Sequence, residues 1–155
     1  MAEWVLLLGG DRGDLEHTFA QAATRIAQHV GPIRSRSRDH WTEAWGFQDE
    51  ALFLNRALVV ESALAPDPLM EALFTIEREL GRHRDASGPR YAPRTLDIDV
   101  LFQGESTLRT SKLTVPHPRV HERAFALAPA ADVVPGLVHP VRRLTVLALL
   151  DRCRA

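Results

Sequence analysis

Asp97 and Asp99 stand two residues apart in Arg94-Thr95-Leu96-Asp97-Ile98-Asp99-Val100-Leu101-Phe102, and the alternation around them decides what they can do. Leu96, Ile98, Val100 and Phe102 alternate with Thr95, Asp97, Asp99 and Leu101, the period-two pattern of a strand with one buried face. The two carboxylates therefore share a face, roughly 6 to 7 Å apart at about 3.3 Å per residue. Like charges at that spacing repel unless a cation lies between them, and hard oxygen ligands of this kind suit Mg²⁺. A merely solvated strand face would carry the same spacing, so the neighbourhood matters. Gly81 to Arg94 brings Arg82, Arg84, Arg90 and Arg94 in a Gly/Pro-punctuated loop directly before the strand. Guanidinium forks for phosphate oxygens beside acids for a metal describe a nucleoside triphosphate site.

A second cluster is Thr42-Glu43-Ala44-Trp45-Gly46-Phe47 together with Phe53 and Asn55. Large aromatics in a loop ask for a use, and Asn55 shares a strand face with Phe53 by period two. An aromatic plate beside a carboxamide that both donates and accepts suits a flat heterocycle. A loop folded over the core, with Asn55 serving backbone groups, accounts for the same residues. In Val115-Pro116-His117-Pro118-Arg119-Val120-His121 each proline fixes its own φ and restricts the residue before it. The two histidines do not match a zinc spacing, and a structural histidine is the plainer reading of His117 alone. A preset backbone with polar tips is nevertheless how loops hold anions, and Arg123 follows closely.

The elements that must position these residues follow from pattern. Glu3 to Leu8 is an apolar run ending at Gly9-Gly10, a buried first strand and its turn. Asp14 can cap a helix carrying Leu15, Phe19, Ala22 and Ile26 that stops at Gly31-Pro32. Ile33 to Trp41 predicts an edge strand whose solvated Arg34, Arg36 and Arg38 guard against pairing with neighbours. Thr42 to Glu50 has no regular pattern, and Phe53 to Val60 predicts a central strand. Asp67-Pro68 supplies a cap and a proline at the first helical position, ahead of a stripe of Leu69, Leu73, Ile76 and Leu80 closing at Gly81. Strand, helix, strand, strand, helix, strand is an α+β order, the ferredoxin-like βαββαβ sheet with helices on its faces. Beyond the Gln103-Gly104-Glu105 turn come C-terminal additions: short extended pieces over Ser106 to Val115, a helix over Arg123 to Ala128 and a closing helix over Leu144 to Asp151. With no linker, repeat or low-complexity stretch, residues 1–155 are expected to form a single domain.

Bulk properties narrow the function. The 155 residues carry a formal net charge of −1, which argues against a general nucleic-acid coat. Eighteen of nineteen basic residues are arginine, so Lys112 is the only lysine and no P-loop motif occurs. The arginine clusters must then serve something small. Cys153 is alone, which excludes a disulfide framework or a cysteine-based metal site. No apolar run reaches the length of a membrane span and the start lacks a basic leader, so a soluble, cytoplasmic protein is expected.

Phe53-Leu54-Asn55, Gly81-Arg82-His83-Arg84, Pro93-Arg94-Thr95-Leu96-Asp97-Ile98-Asp99 and Leu113-Thr114-Val115-Pro116-His117, followed by Arg123-Ala124-Phe125, resemble the 6-hydroxymethyl-7,8-dihydropterin pyrophosphokinases of folate biosynthesis. The similarity runs from the Gly9-Gly10 turn to about Pro140, in order and nearly without gaps. It implies transfer of pyrophosphate from ATP, the co-substrate, to the hydroxymethyl group of 6-hydroxymethyl-7,8-dihydropterin, with AMP leaving. Asp97 and Asp99 would hold two Mg²⁺ ions, and Arg82 and Arg94 would stabilise charge on the transferred group. Arg84, His117 and Arg123 would grip the triphosphate, with Glu77, Tyr91 and Thr114 also on the nucleotide side. Phe53 and Phe125 would sandwich the pterin while Asn55 and the Thr42, Glu43 and Trp45 segment read its edge. Residues 82–94 would form a lid. Partners would be these small molecules alone, with no nucleic acid and no membrane, and the protein would act as a monomer.

The chain departs from the resemblance in Gly9-Gly10-Asp11 where Gly-Ser-Asn is usual, in a longer lid with Asp85 and Tyr91, in Phe74 where a glutamine is often found, and in Pro118 after His117. All of these touch the nucleotide side. Two other readings use the same residues: a metal-dependent nucleotidyltransferase, which would release pyrophosphate, and a ferredoxin-like module binding RNA or a regulatory ligand. Against the last stand the near-neutral charge and the lack of an aromatic ribonucleoprotein motif.

Overall fold

The computed structural model describes residues 1–11, 13–43, 52–81 and 96–155. Strand β1 (Ala2–Gly10) is buried from Trp4 onward, because helices cover both faces of the sheet at its centre. It lies between β4 (Leu52–Ser62) and β5 (Asp97–Gln103), antiparallel to each. On the far side of β4 lie β2 (Ile33–Arg36) and β3 (His40–Glu43). The order β2-β4-β1-β5 is the ferredoxin-like one.

The single edge strand expected over Ile33 to Trp41 is thus two strands, and the second continues through Thr42 and Glu43 instead of becoming irregular. Ser37 explains the break. Its amide donates to the Ala57 carbonyl (2.9 Å), its hydroxyl accepts from the Ala57 amide (2.8 Å) and it donates to the Arg38 carbonyl (2.7 Å). A side chain has taken over a ladder position.

Helix α1 (Leu15–His29) begins as predicted, with Asp14 accepting from the His17 amide at 3.2 Å. Helix α2 (Pro66–Gly81) begins at Pro66, so the proline at its first position is Pro66 and not Pro68, and Asp67 sits inside the first turn, near the positive end of the helix dipole. The stripes Phe19, Ala22, Ile26 and Leu69, Leu73, Ile76 bury one sheet face with Trp4, Leu6, Leu8, Leu54, Ile98 and Val100. The opposite face, Val5, Leu7, Val59, Leu101 and Phe102, is covered by α3 (Ala124–Val133) and α4 (Val146–Arg154). Helix α3 runs on through Pro129 to Val133, past the Ala128 expected. Helix α4 starts later than expected because Thr145 caps it, accepting from the Ala148 amide at 3.1 Å.

One bulge matters for the site. The β1–β5 register passes from Val5 opposite Phe102 to Leu6 opposite Val100, leaving Leu101 unmatched. An extra residue reverses which face the following side chain meets. Leu96, Ile98 and Val100 therefore enter the first core, whereas Leu101 and Phe102 both enter the second. The alternation read from sequence fails only at Phe102, after the acids. Beyond β5, β6 (Leu108–Arg109) and β7 (Thr114–Val115) form a small hairpin, the Val115–Pro116 peptide is cis, and Val120–Glu122 makes a 3-10 turn.

Candidate active site

Three strands bring the site together at Gly9. This glycine lies opposite Asn55 of β4 on one side and Asp97 of β5 on the other. A Cβ there would stand 3.3 Å from Asn55 Oδ1 and 3.8 Å from Phe53, so the missing side chain keeps a floor open. Around that floor Leu7, Thr42, Phe53, Asn55, Asp97, Asp99 and Phe125 enclose a cavity of about 180 Å³. Thr42 is placed by β3, opposite Phe53; Phe125 comes from the first turn of α3 and is partly exposed, with the Arg123 guanidinium 5.5 Å from its ring centre.

Asn55 is 3% exposed and its Nδ2 has no hydrogen-bond partner. A buried donor left unpaired costs about 1 to 3 kcal/mol, a cost that a ligand acceptor in this cavity would remove. Serving backbone groups does not explain that atom.

A larger cavity, about 520 Å³, opens on the other side of the acids. Met70, Phe74 and Glu77 of α2 form one wall, and Lys112, Thr114, His117 and Pro118 another, with Asp97 and Asp99 again at its edge. The two carboxylates are thus common to both cavities. Glu77 is buried in that wall. The His117 amide donates to the Leu101 carbonyl at 2.9 Å and its Nδ1 accepts from the Arg119 amide at 3.1 Å. Burial, with Arg123 and Arg119 nearby, holds its pKa below the usual imidazole value. The ring is neutral at pH 7 and presents Nε2–H as a donor.

Among the described residues no group of three or more histidine, cysteine, aspartate or glutamate side chains forms a metal site. Two carboxylates with open positions for phosphate and water oxygens is the donor set Mg²⁺ takes in nucleotide enzymes. The residues present therefore fit that ion. Arg82, Arg84, Tyr91, Arg94 and Trp45 lie outside the described residues, as does the side chain of Glu43. Sequence reasoning assigned no role to Leu7, Gly9, Met70 or Lys112; the signal for the last was its being the only lysine. Lys112 pairs with Glu71 at 2.6 Å.

The walls of the smaller cavity are tied together behind it. Asp132 of α3 accepts from the Arg38 amide and Nε (3.2 Å each) and Nη2 (3.0 Å), and lies 2.8 Å from His40 Nε2 on β3. Arg38 is thus bonded as well as solvated. The Arg38 hydrogen bond, opposed by burial and aided by His40, holds the Asp132 pKa at about 2. A carboxylate depressed in the folded state contributes stability above its unfolded pKa and loses it as pH falls through the folded value. With Arg38 open to water the contribution is about 1 kcal/mol. The unfolding free energy from urea titrations should therefore be lower for Asp132→Asn by that amount at pH 6, and the gap from the parent protein should close between about pH 4 and pH 2; a gap that persists at pH 2 would refute the linkage.

Residues 5–135 match the family model described as 7,8-dihydro-6-hydroxymethylpterin-pyrophosphokinase (HPPK). A Bacillus subtilis (strain 168) protein named 2-amino-4-hydroxy-6-hydroxymethyldihydropteridine pyrophosphokinase is 39% identical over 129 residues, 83% of this chain and 75% of that one. A Methylorubrum extorquens protein of the same name is 38% identical over 139 residues, 89% and 86% of the two chains. Among solved structures, an HPPK-DHPS in complex with substrates is similar with a TM-score of 0.76 at 12% identity, covering 97% of this chain and 43% of that chain. This chain therefore spans less than half the length of that structure's chain.

Proposed function

The chain belongs to the 7,8-dihydro-6-hydroxymethylpterin-pyrophosphokinase family, and from that membership we infer that its two cavities hold the two substrates of one transfer. The enzyme moves a pyrophosphoryl group from ATP to the hydroxymethyl oxygen of 6-hydroxymethyl-7,8-dihydropterin, a step of folate biosynthesis. The observation that carries the assignment of sites is the common wall: Asp97 and Asp99 border a small, largely apolar cavity and a larger polar one. In the smaller, Phe53 and Phe125 take the faces of the pterin, and Asn55 Nδ2 donates to its edge beside Thr42. In the larger, the neutral His117 donates from Nε2 to a phosphate oxygen, with Thr114 and Glu77 lining the nucleotide and Arg123 close to the imidazole.

In the reaction a bond forms from the pterin oxygen to the β-phosphorus as the bond to the AMP oxygen breaks, and the hydroxyl proton is released. Holding both substrates against one wall removes the entropic cost of bringing them together. Asp97 and Asp99 would hold two Mg²⁺ ions, which when bound screen the phosphate oxygens and lower the hydroxyl pKa. Arg82 and Arg94 are proposed to stabilise charge on the transferred group, Arg84 and Tyr91 to hold ATP, and Glu43 and Trp45 to complete the pterin side. A single-domain monomer in the cytoplasm fits this reading, supported by a match spanning most of the chain and by the lack, among the described residues, of any helix long and apolar enough to cross a membrane.

The test is product analysis with Mg-ATP and the pterin. AMP in step with pterin pyrophosphate is expected; ADP would mean ordinary kinase chemistry, and released pyrophosphate would mean nucleotidyl transfer. Asn55→Ala should weaken pterin binding by about 1 to 3 kcal/mol, roughly 5- to 150-fold, with a smaller change in kcat. Unchanged pterin affinity in an equilibrium titration would remove Asn55 from the site.

A further inference from the structure

We propose that the cavity between the β6–β7 hairpin and the turn at His139–Arg142 is a second ligand site, for a phosphate or pyrophosphate carried on a flat organic body. It measures about 390 Å³, within the range of small-molecule pockets. The polar side chains lining it are Thr107, Arg109, Thr114, Arg142 and three histidines, with no carboxylate among the described residues of its wall. Such a lining offers donors and positive charge, the equipment for an anion.

The donors are fixed in direction. His139 is only 4% exposed, and its Nδ1 accepts from the amides of Val141 (3.2 Å) and Arg142 (3.0 Å). Its Nε2 therefore carries the proton and is the ring's remaining polar atom. Arg142 Nη2 donates to His121 Nε2 at 2.9 Å, which leaves His121 Nδ1 as an N–H. Positive charge borders the cavity before any ligand arrives: burial first and then neighbours that include Arg142 hold His139 below its usual pKa, and burial with Arg123 and Arg119 does the same to His117. The Glu105 carboxylate accepts from the Val138 amide at 2.8 Å and is not part of the lining. Leu108, Val115, Pro116 and Val141 add apolar surface that a bare phosphate would not use.

The neighbouring nucleotide cavity shares Thr114, His117 and Pro118 with this one. With Nδ1 taken by the Arg119 amide, His117 has one N–H to give, so a ligand that draws it to one side weakens the hold on the other. Occupancy should antagonise ATP without excluding it, a negative coupling between distinct sites. AMP and pterin pyrophosphate, the products of the proposed reaction, belong to the required ligand class; only that identification rests on the proposed function.

The experiment is an amide-shift titration of the whole protein with AMP while Mg²⁺ and a non-hydrolysable ATP analogue saturate the nucleotide cavity. Saturable shifts are expected at Leu108, Val141 and Arg142. Arg109→Ala with Arg142→Ala should weaken that binding about tenfold or more and leave turnover without added AMP unchanged. No shifts at those amides, or shifts that survive the double variant, would overturn the site. Inorganic phosphate should bind more weakly than AMP; equal binding would overturn the organic body. If product analysis showed no AMP formation, the reaction would fall while the titration still decided the site.

Discussion

Asparagine at position 97 or 99 leaves the protein folded and lowers pyrophosphoryl transfer by about a thousandfold or more. The substitution keeps shape and removes a charge. Both side chains are half-exposed on β5, ahead of its bulge, so neither is part of the buried core. An amide oxygen can still touch Mg²⁺ but contributes no charge to hold it, and metal stabilisation of a transfer of this kind is worth several kcal/mol, at about 1.4 kcal/mol per tenfold in rate. Because neither side chain is part of the buried core, the cooperative melt should be retained. Kinetics across a Mg²⁺ titration, with circular dichroism melts alongside, check both halves. Full activity in either variant would overturn the metal assignment; a collapsed melt would place the residue in the fold and not in the chemistry.

A methyl group at position 81 should damage both stability and rate. A Cβ on Gly81 would stand 2.8 Å from the Leu96 carbonyl oxygen, 2.9 Å from its amide nitrogen and 2.8 Å from its Cβ. Two of those atoms are backbone, and the residue they belong to immediately precedes Asp97. Either the end of α2 lifts or β5 retreats. Overpacking of this kind costs about 1 to 3 kcal/mol, or several degrees in melting temperature for a chain of this size. A displaced Asp97 is the second effect, since a 1 Å misplacement can cost roughly 100-fold in rate. Gly81→Ala should therefore melt lower and turn over some 10- to 100-fold more slowly, while pterin affinity, proposed to rest on Asn55 and Phe53, should change little. An unaltered kcat in the folded protein would show that Leu96 yields without moving Asp97.

Where a single residue type does one local job, sequence was enough. The period-two run placed Asp97 and Asp99 on one face because nothing between Leu96 and Val100 disturbs the pleat, and Asp14 capped α1 because the cap needs only its own helix. Phe102 was misplaced because a bulge is decided by how β5 registers against β1, which no pattern within β5 records. The break between β2 and β3 depended on a side chain bonding across to Ala57. Glu77 is buried although it lies off the stripe of Leu69, Leu73, Ile76 and Leu80, because helical periodicity does not record what else packs beside a helix. Gly9 carried no chemical signal at all, since what it contributes is the absence of atoms. The resemblance supplied Phe125 and Thr114, both far along the chain from the acids.

The position of β1 at the middle of the sheet has a kinetic consequence. This strand precedes both of its partners in the chain, yet Ala2 must find Ser62, and Gly9 must find both Asn55 and Asp97. Loops of that span close slowly relative to helices and hairpins. Until β5 is made, an almost wholly apolar strand has an open edge, and such edges invite pairing with another chain. The same long-range pairings that unite the two cavities at Asp97 and Asp99 leave that apolar strand open until β5 docks, so aggregation through this edge should compete with folding.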